Sequence, residues 1–276
     1  MDPDTTKIAK APVSVVIPCY NSAKTVERAV LSALHQSRPP AEVIIVDDHS
    51  DDLDTARLLQ SLMERHPLDL HVVTLSKNGG PAAARNAGWD VATRKFVAFL
   101  DADDVWVPRK LEYQLPLMEG ETAPVMSGHR IGVTRQPVGD SEVIPTVARQ
   151  LISAKQLCFR NMLPTPSVIV RRDISLRFDA KRQFCEDYDL WLRIAFKYGE
   201  FGYFDATLAY AFKALYGESG LSQSLSRMEA GQTAIYRDLY RDGYFGLKMM
   251  ITLISWAKIR YGRRIILSQI GSISRR

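Results

Sequence analysis

Four short apolar runs in the first hundred or so residues alternate with stretches of helical spacing, and this rhythm narrows the possible folds more than any other feature. The runs are Val13–Ile17, Val43–Val46, Leu70–Leu75 and Phe96–Leu100. After the first, Val26, Ala29, Val30, Ala33 and Leu34 recur at i, i+3, i+4, i+7 and i+8 within Ser22–Gln36, one buried helical stripe. Asn21 or Ser22 is a suitable N-cap for that helix, and Pro39-Pro40 forces a turn after it. Leu58, Leu59, Leu62 and Met63 form the stripe of a second helix. A third is predicted from Ala82 to about Thr93, with Pro81 in its first turn, where a missing N–H costs nothing. Strand–helix alternation of this kind folds as a parallel, doubly wound α/β sheet.

Right-handed crossovers bring the strand ends to one edge. Pro18–Asn21, Asp47–Ser50, Asn78–Arg85 and Asp101–Asp104 therefore share a rim, the place where open α/β sheets bind ligands. The fourth run ends in Asp101-Ala-Asp103-Asp104. Three carboxylates together repel one another unless solvated or neutralised by a cation, and hard oxygen ligands suit Mg²⁺ or Mn²⁺. Taken alone, the same acids read first as a solvated turn, and the other segments on the rim shift the balance.

The second half is less regular. Strands are predicted at Val125–Val133 and Pro166–Val170, one or two more within Phe201–Phe212, and helices at Ser153–Arg160 and Leu221–Tyr240. Glu186-Asp187-Tyr188-Asp189 opens another helix, carried by Leu190, Trp191, Ile194 and Ala195; acids in a first turn are also simple dipole chemistry. The reading divides the chain into a flexible N-terminus (1–11), two halves of one domain (12–124 and 125–220) and a C-terminal helical, basic extension (221–276).

Charge sharpens that last division. The net charge is +5, yet after Asp242 there are seven Lys or Arg and no acid, which leaves the body at 29 basic against 31 acidic residues. A near-neutral body without a groove-reading basic face argues against nucleic-acid binding. The tail alternates apolar and basic residues, which fits either an interfacial helix on an anionic membrane surface or a terminal helix packed on the body. No run approaches the ~20 apolar residues of a spanning helix, and the polar start is not a signal peptide. Cys19, Cys158 and Cys185 are widely spaced, so neither a zinc site nor a disulfide framework is expected, and a reducing compartment is.

In order along the chain, Val15-Val-Ile-Pro-Cys-Tyr-Asn21, Ile45-Val-Asp-Asp48-His-Ser50, Asn78-Gly-Gly-Pro-Ala-Ala-Ala-Arg85-Asn86-Ala-Gly88, Phe99-Leu-Asp101-Ala-Asp103-Asp104 and Glu186-Asp187-Tyr-Asp-Leu-Trp191 resemble the motifs of family 2 glycosyltransferases. The resemblance runs from Val13 to about Gly199. It implies one GT-A, Rossmann-like domain with a mostly parallel sheet. It also implies metal-dependent, inverting hexosyl transfer from a nucleotide-diphosphate sugar, UDP favoured, to a hydroxyl of a glycan or lipid-linked acceptor in surface polysaccharide synthesis. By the same resemblance Asp187 is the base, with Glu186 beside it. Pro18, Tyr20, Asn21, Asp48, Arg85 and Asp101 bind the nucleotide sugar. Asp103 and Asp104 hold Mn²⁺ or Mg²⁺. Trp191 borders the acceptor, unless it is a core residue. The family's lid segment with its histidine has no match here; Lys213 and Ser222 stand in that region. The Gln-x-x-Arg-Trp motif of processive synthases does not occur, which favours single addition. The implied location is cytoplasmic, peripheral on the inner face of the membrane.

Two other readings share the acids. A sugar nucleotidyltransferase needs a glycine-rich basic loop after the first strand, where this chain has Pro18-Cys-Tyr-Asn21. A non-catalytic, receiver-like Mg²⁺-binding module would leave Glu186 and Asp187 without a role.

Overall fold

The computed structural model describes residues 9–134, 149–212 and 224–273, the last eight of these as backbone only. The first half runs β1 (Ala11–Cys19), α1 (Val26–Leu34), β2 (Pro40–Asp47), α2 (Leu53–Arg65), β3 (Leu70–Thr74), α3 (Gly80–Val91), β4 (Phe96–Phe99). There follow β5 (Asp104–Trp106), α4 (Lys110–Gln114), β6 (Met126–Val133), β7 (Arg149–Ile152), α5 (Ala154–Phe159), β8 (Ile169–Arg171), α6 (Glu186–Tyr198), β9 (Phe201–Ala211), α7 (Leu225–Arg241) and α8 (Leu247–Ile273).

One sheet in the order β3-β2-β1-β4-β8-β6-β9-β5 crosses the molecule, with β7 added on β9. The first four strands pair in parallel. Antiparallel pairings enter at β4–β8, β8–β6, β9–β5 and β9–β7. The α/β architecture follows from strands buried on both faces. Val13, Val15, Ile17, Val43, Ile45, Phe96 and Ala98 pack with the α1 residues Val26, Ala29, Val30 and Ala33. Their neighbours Val16, Ile44, Val46, Val97 and Phe99 point the other way, into a core shared with α3 and α6. A strand covered on both sides has no use for polar alternation, which is why these segments read as continuous apolar runs.

β1 lies between β2 and β4, so the chain reverses its direction of travel across the sheet there. That switch point leaves a crevice at the strand ends. α3 closes one wall, and it does so at close range: a Cβ on Gly88 would stand 2.5 Å from Val16 Cγ1 and 3.0 Å from Val46 Cγ2. Only a glycine lets this helix lie on β1 and β2 so tightly.

Several local expectations shift. α1 begins at Val26 rather than Ser22, and Asn21 does not cap it. The Ser22 carbonyl instead accepts from Thr25 N–H and Val26 N–H in a preceding turn. Pro166–Val170 divides into a 3₁₀ turn, Thr165–Ser167, and β8. β5, α4 and β7 are too short for a readable period and had no counterpart in the sequence reading. Trp191 is fully buried among Phe99 and Phe178, ring centroids 5.9 and 5.5 Å away, so the structure makes it a core residue and not an acceptor border.

α8 docks on the body through Leu253 and Ala257, both buried. Trp256 Nε1 and Arg260 Nη1 donate to the carbonyl of Phe159 at 3.1 and 2.9 Å, and so satisfy the last carbonyl of α5. Among the described residues no helix is long and apolar enough to cross a membrane.

Candidate active site

The crevice at the ends of β1, β2 and β4 is a cavity of about 1010 Å³. Pro18, Tyr20, Asn21, Asp48, Arg85, Asp101 and Asp103 all line it. The fold thus brings together seven sequence-predicted residues from four separate segments. Asn78 of the predicted rim lines it too, as do Lys24 and Asp52, which the sequence reading had not assigned to the site.

Each wall is fixed by its own hydrogen bonds. Asn21 has a left-handed backbone (φ 49°), and its side-chain oxygen accepts from Asp51 N–H and Asp52 N–H, both at 3.2 Å. It stitches the tip of β1 to the loop after β2. Tyr20 remains 45% exposed beside it, a ring with a free face. Asp48 is buried, and its two carboxylate oxygens accept from Gly79 N–H and Gly80 N–H, each at 2.7 Å. The acid thereby holds the entry to α3, whose unpaired first N–H groups favour a negative partner. Each oxygen keeps a further lone pair for a ligand donor. His49, next in the chain, also has positive φ (61°).

The acids on opposite sides of the site meet at one guanidinium. Arg85 is buried; Nη2 donates to Asp101 Oδ1 at 2.7 Å and Nη1 to Glu186 Oε1 at 3.0 Å. Burial alone would weaken its charge, but Asp101, Glu186 and Asp187 outweigh that and push its pKa up. Asp187 accepts from Thr165 Oγ1 at 3.2 Å and from Tyr188 N–H at 2.7 Å. Burial and then the neighbouring Glu186 charge push its carboxyl up from 3.8 to about 6, against the pull of Arg85 and the two donors. Cys185, just before this pair, is a third non-glycine residue in the left-handed region (φ 59°). Among the described residues, the three in this region are Asn21, a cavity residue itself, and His49 and Cys185, which adjoin Asp48 and Glu186. Backbone held in this costly conformation next to working groups indicates that surrounding contacts dictate their aim.

Asp103 lines the cavity, whereas Asp104 is buried at the start of β5 and does not. Arg28 of α1 donates to the Asp103 carbonyl at 3.1 Å and lies 3.5 Å over the Phe212 ring. Sequence reasoning missed it because its place beside the buried stripe of α1 reads as an ordinary surface arginine. Among the described residues no three His, Cys, Asp or Glu side chains close into a protein-only metal cage. Asp101 is engaged by Arg85, whereas Asp103 on the cavity wall fits a cation held by one carboxylate and completed by substrate phosphates, the usual habit of Mg²⁺. Lys213 and Ser222 lie outside the described residues.

A mostly parallel sheet with an acid-lined crevice at its switch point places the chain in the GT-A fold class. The profile described as "Glycosyl transferase family 2" matches residues 14–180, and the chain belongs to that family. TuaG of Bacillus subtilis (strain 168), named for teichuronic acid biosynthesis, is 47% identical over 106 residues, 38% of this chain and 41% of TuaG. WfgD of Escherichia coli, a UDP-Glc:α-D-GlcNAc-diphosphoundecaprenol β-1,3-glucosyltransferase, is 29% identical over 182 residues, 66% of this chain and 69% of WfgD. The chain therefore spans less than half of the first relative and about two thirds of the second. S. aureus TarS 1–349 in complex with UDP-GlcNAc superposes with a TM-score of 0.66 at 22% identity, over 88% of this chain and 70% of that one. The mannosyltransferase PcManGT of Pyrobaculum calidifontis, solved with GDP-Man and Mn²⁺, gives 0.62 at 18% identity, over 91% and 71%. These two likenesses establish the shared fold.

Proposed function

We propose that this protein transfers a hexosyl group from a UDP-sugar to a hydroxyl of a lipid-linked glycan, with inversion and with a divalent metal, in surface polysaccharide synthesis. The observation that carries the reading is the Arg85 bridge, which joins Asp101 of the cavity to Glu186 next to Asp187. Donor and acceptor chemistry are thereby held at a fixed separation. Family membership favours transfer over nucleotidyl chemistry or a non-catalytic module.

In this proposal Tyr20 stacks on the base and Pro18 packs against it, while Asp48 accepts from the uracil N3–H. Asn21 keeps that wall in place and Asp101 receives the ribose or sugar hydroxyls. Asp103, with the buried Asp104 next in the chain, would hold Mn²⁺ or Mg²⁺, which when bound would neutralise charge on the leaving diphosphate. Asp187 takes the proton of the acceptor hydroxyl; that oxygen bonds to the anomeric carbon as the bond to the diphosphate oxygen breaks. Glu186 keeps its partner aimed through Arg85. The UDP-sugar and lipid-linked readings draw on the substrates in the name of WfgD and on the TarS complex.

The proposal places the enzyme on the inner membrane face through α8. Leu247, Ile251, Trp256 and Ile259 stand 42–64% exposed on this helix. Lys248, Lys258 and Arg263 share the exposed side, and no acid follows Asp242. Apolar groups with a belt of cations match an anionic lipid surface.

The decisive assay pairs Asp187→Asn with UDP binding. The amide cannot take a proton, so transfer is expected to fall by about 10³-fold or more while UDP affinity stays within about twofold. Undiminished transfer by this variant would remove Asp187 as the base.

A further inference from the structure

A second cavity, of about 610 Å³, opens beside the first and shares Asn78, Gly80 and Pro81 with it. Its far wall is the loop Ala180–Phe184, which leads straight into Cys185, Glu186 and Asp187, and Arg227 of α7. The two cavities differ in sign. The first carries five acids, Asp48, Asp52, Asp54, Asp101 and Asp103, against Lys24 and Arg85; the second has, among the described residues, no acid in its lining and three cations, Lys181, Arg182 and Arg227.

The three cations are not equivalent. Arg182 is committed to Asp238 at 2.7 Å and Asp189 at 3.6 Å, and so ties the loop to α6 and α7. Lys181 and Arg227 are exposed and make no ion pair among the described residues. The guanidinium of Arg227 lies 5.9 Å over the ring of Phe184. The wall that carries it is firm. A Cβ on Gly231 would come within 3.1 Å of the Phe184 carbonyl oxygen, and Cys185 Sγ reaches the Met228 carbonyl at 3.6 Å, so α7 is seated directly on the loop.

We propose that this groove is the acceptor subsite and that Lys181 and Arg227 receive the anionic group of the acceptor, its diphosphate. The inference rests on the transferase reading above. A donor cavity with an excess of acids disfavours a second polyanion, so an anionic acceptor needs its own positive field, here beside the loop that leads into Asp187. Two cations on one firm groove wall supply it, and an Arg fork suits phosphate oxygens.

The test titrates geranyl diphosphate, geraniol and inorganic diphosphate into the full chain already saturated with UDP and Mg²⁺, read by calorimetry. Geranyl diphosphate is expected to bind with UDP in place and geraniol not to bind. Lys181→Ala/Arg227→Ala is expected to weaken geranyl diphosphate about tenfold or more, the scale of a lost charge-assisted hydrogen bond, with UDP affinity unchanged. Lys181→Glu alone, at an exposed position, repeats the test should the double variant fold poorly. Undiminished affinity in these variants, displacement by UDP, or equal binding of inorganic diphosphate would each overturn the acceptor subsite. Absence of UDP binding in the unaltered chain would instead strike the donor reading, so the two failures are separable.

Discussion

Asp187 is under two opposing demands. Burial and Glu186 lift its carboxyl to about 6, which keeps a proton acceptor of useful strength near neutral pH. The base form is lost as pH falls through that value, so kcat is expected to decline below about pH 6 and to level above it; a profile flat from pH 5 to 8 would contradict the assignment. The same displacement has a cost in stability with a definite sign. Between the unfolded carboxyl at 3.8 and the folded one at about 6 the native state holds the extra proton, so stability falls as pH rises through this window and stays lower above it. Asp187→Asn is therefore expected to melt higher than the unaltered chain at pH 7, by about 1 kcal/mol, within the ~3 kcal/mol ceiling that such a displacement sets. The difference should vanish below about pH 4, which thermal unfolding across pH would show.

At the scale of elements, Asp187, the proposed base, is held by a turn that β5 and α4 anchor. Trp106 Nε1 donates to the Pro166 carbonyl at 2.8 Å, and Gln114 Nε2 to the Ser167 carbonyl at 2.8 Å. Thr165, at the head of this turn, then reaches Asp187. β5 and α4, which supply Trp106 and Gln114, continue the chain from Asp101 and Asp103, so one stretch positions both the cavity acids and Asp187. Thr165→Val keeps the shape and removes the hydroxyl. It is expected to lower kcat about tenfold and to move the acidic limb of the pH profile upward, with KM for the donor unchanged, and Thr165→Ser should restore both. α3 offers a packing test. Gly88→Ala places a methyl against Val16 and Val46 and is expected to destabilise the fold by about 1–3 kcal/mol in denaturant unfolding, with weaker UDP binding because Arg85 rides on the same helix.

For the whole molecule, the switch-point cavity has an excess of acids, the adjoining groove is cationic, and α8 adds an apolar and basic surface. The membrane reading predicts that the full chain sediments with phosphatidylglycerol vesicles at low salt and much less with phosphatidylcholine, and that Trp256→Ser/Ile259→Ser halves the bound fraction or more. Equal binding to both vesicles would leave α8 a packed terminal helix only. Much of this plan was legible in the chain. Repeating apolar runs determined the parallel half-sheet, because a strand buried on both faces leaves its signature in consecutive residues, and the crossover rule then placed Pro18, Asp48, Arg85 and Asp103 on one rim before any coordinates. Contacts between sequence-distant residues were decided only in three dimensions. Arg28 meets Asp103 across 75 positions, Thr165 meets Asp187 from a turn whose Pro166 and Ser167 read as strand, and Arg85 joins Asp101 to Glu186. The Lys181–Arg227 groove and the burial of Trp191 belong to the same class. Local periodicity reports which side of an element faces inward; it carries no information on which other element lies against that side, and that pairing is what sets charge, aim and access at the site.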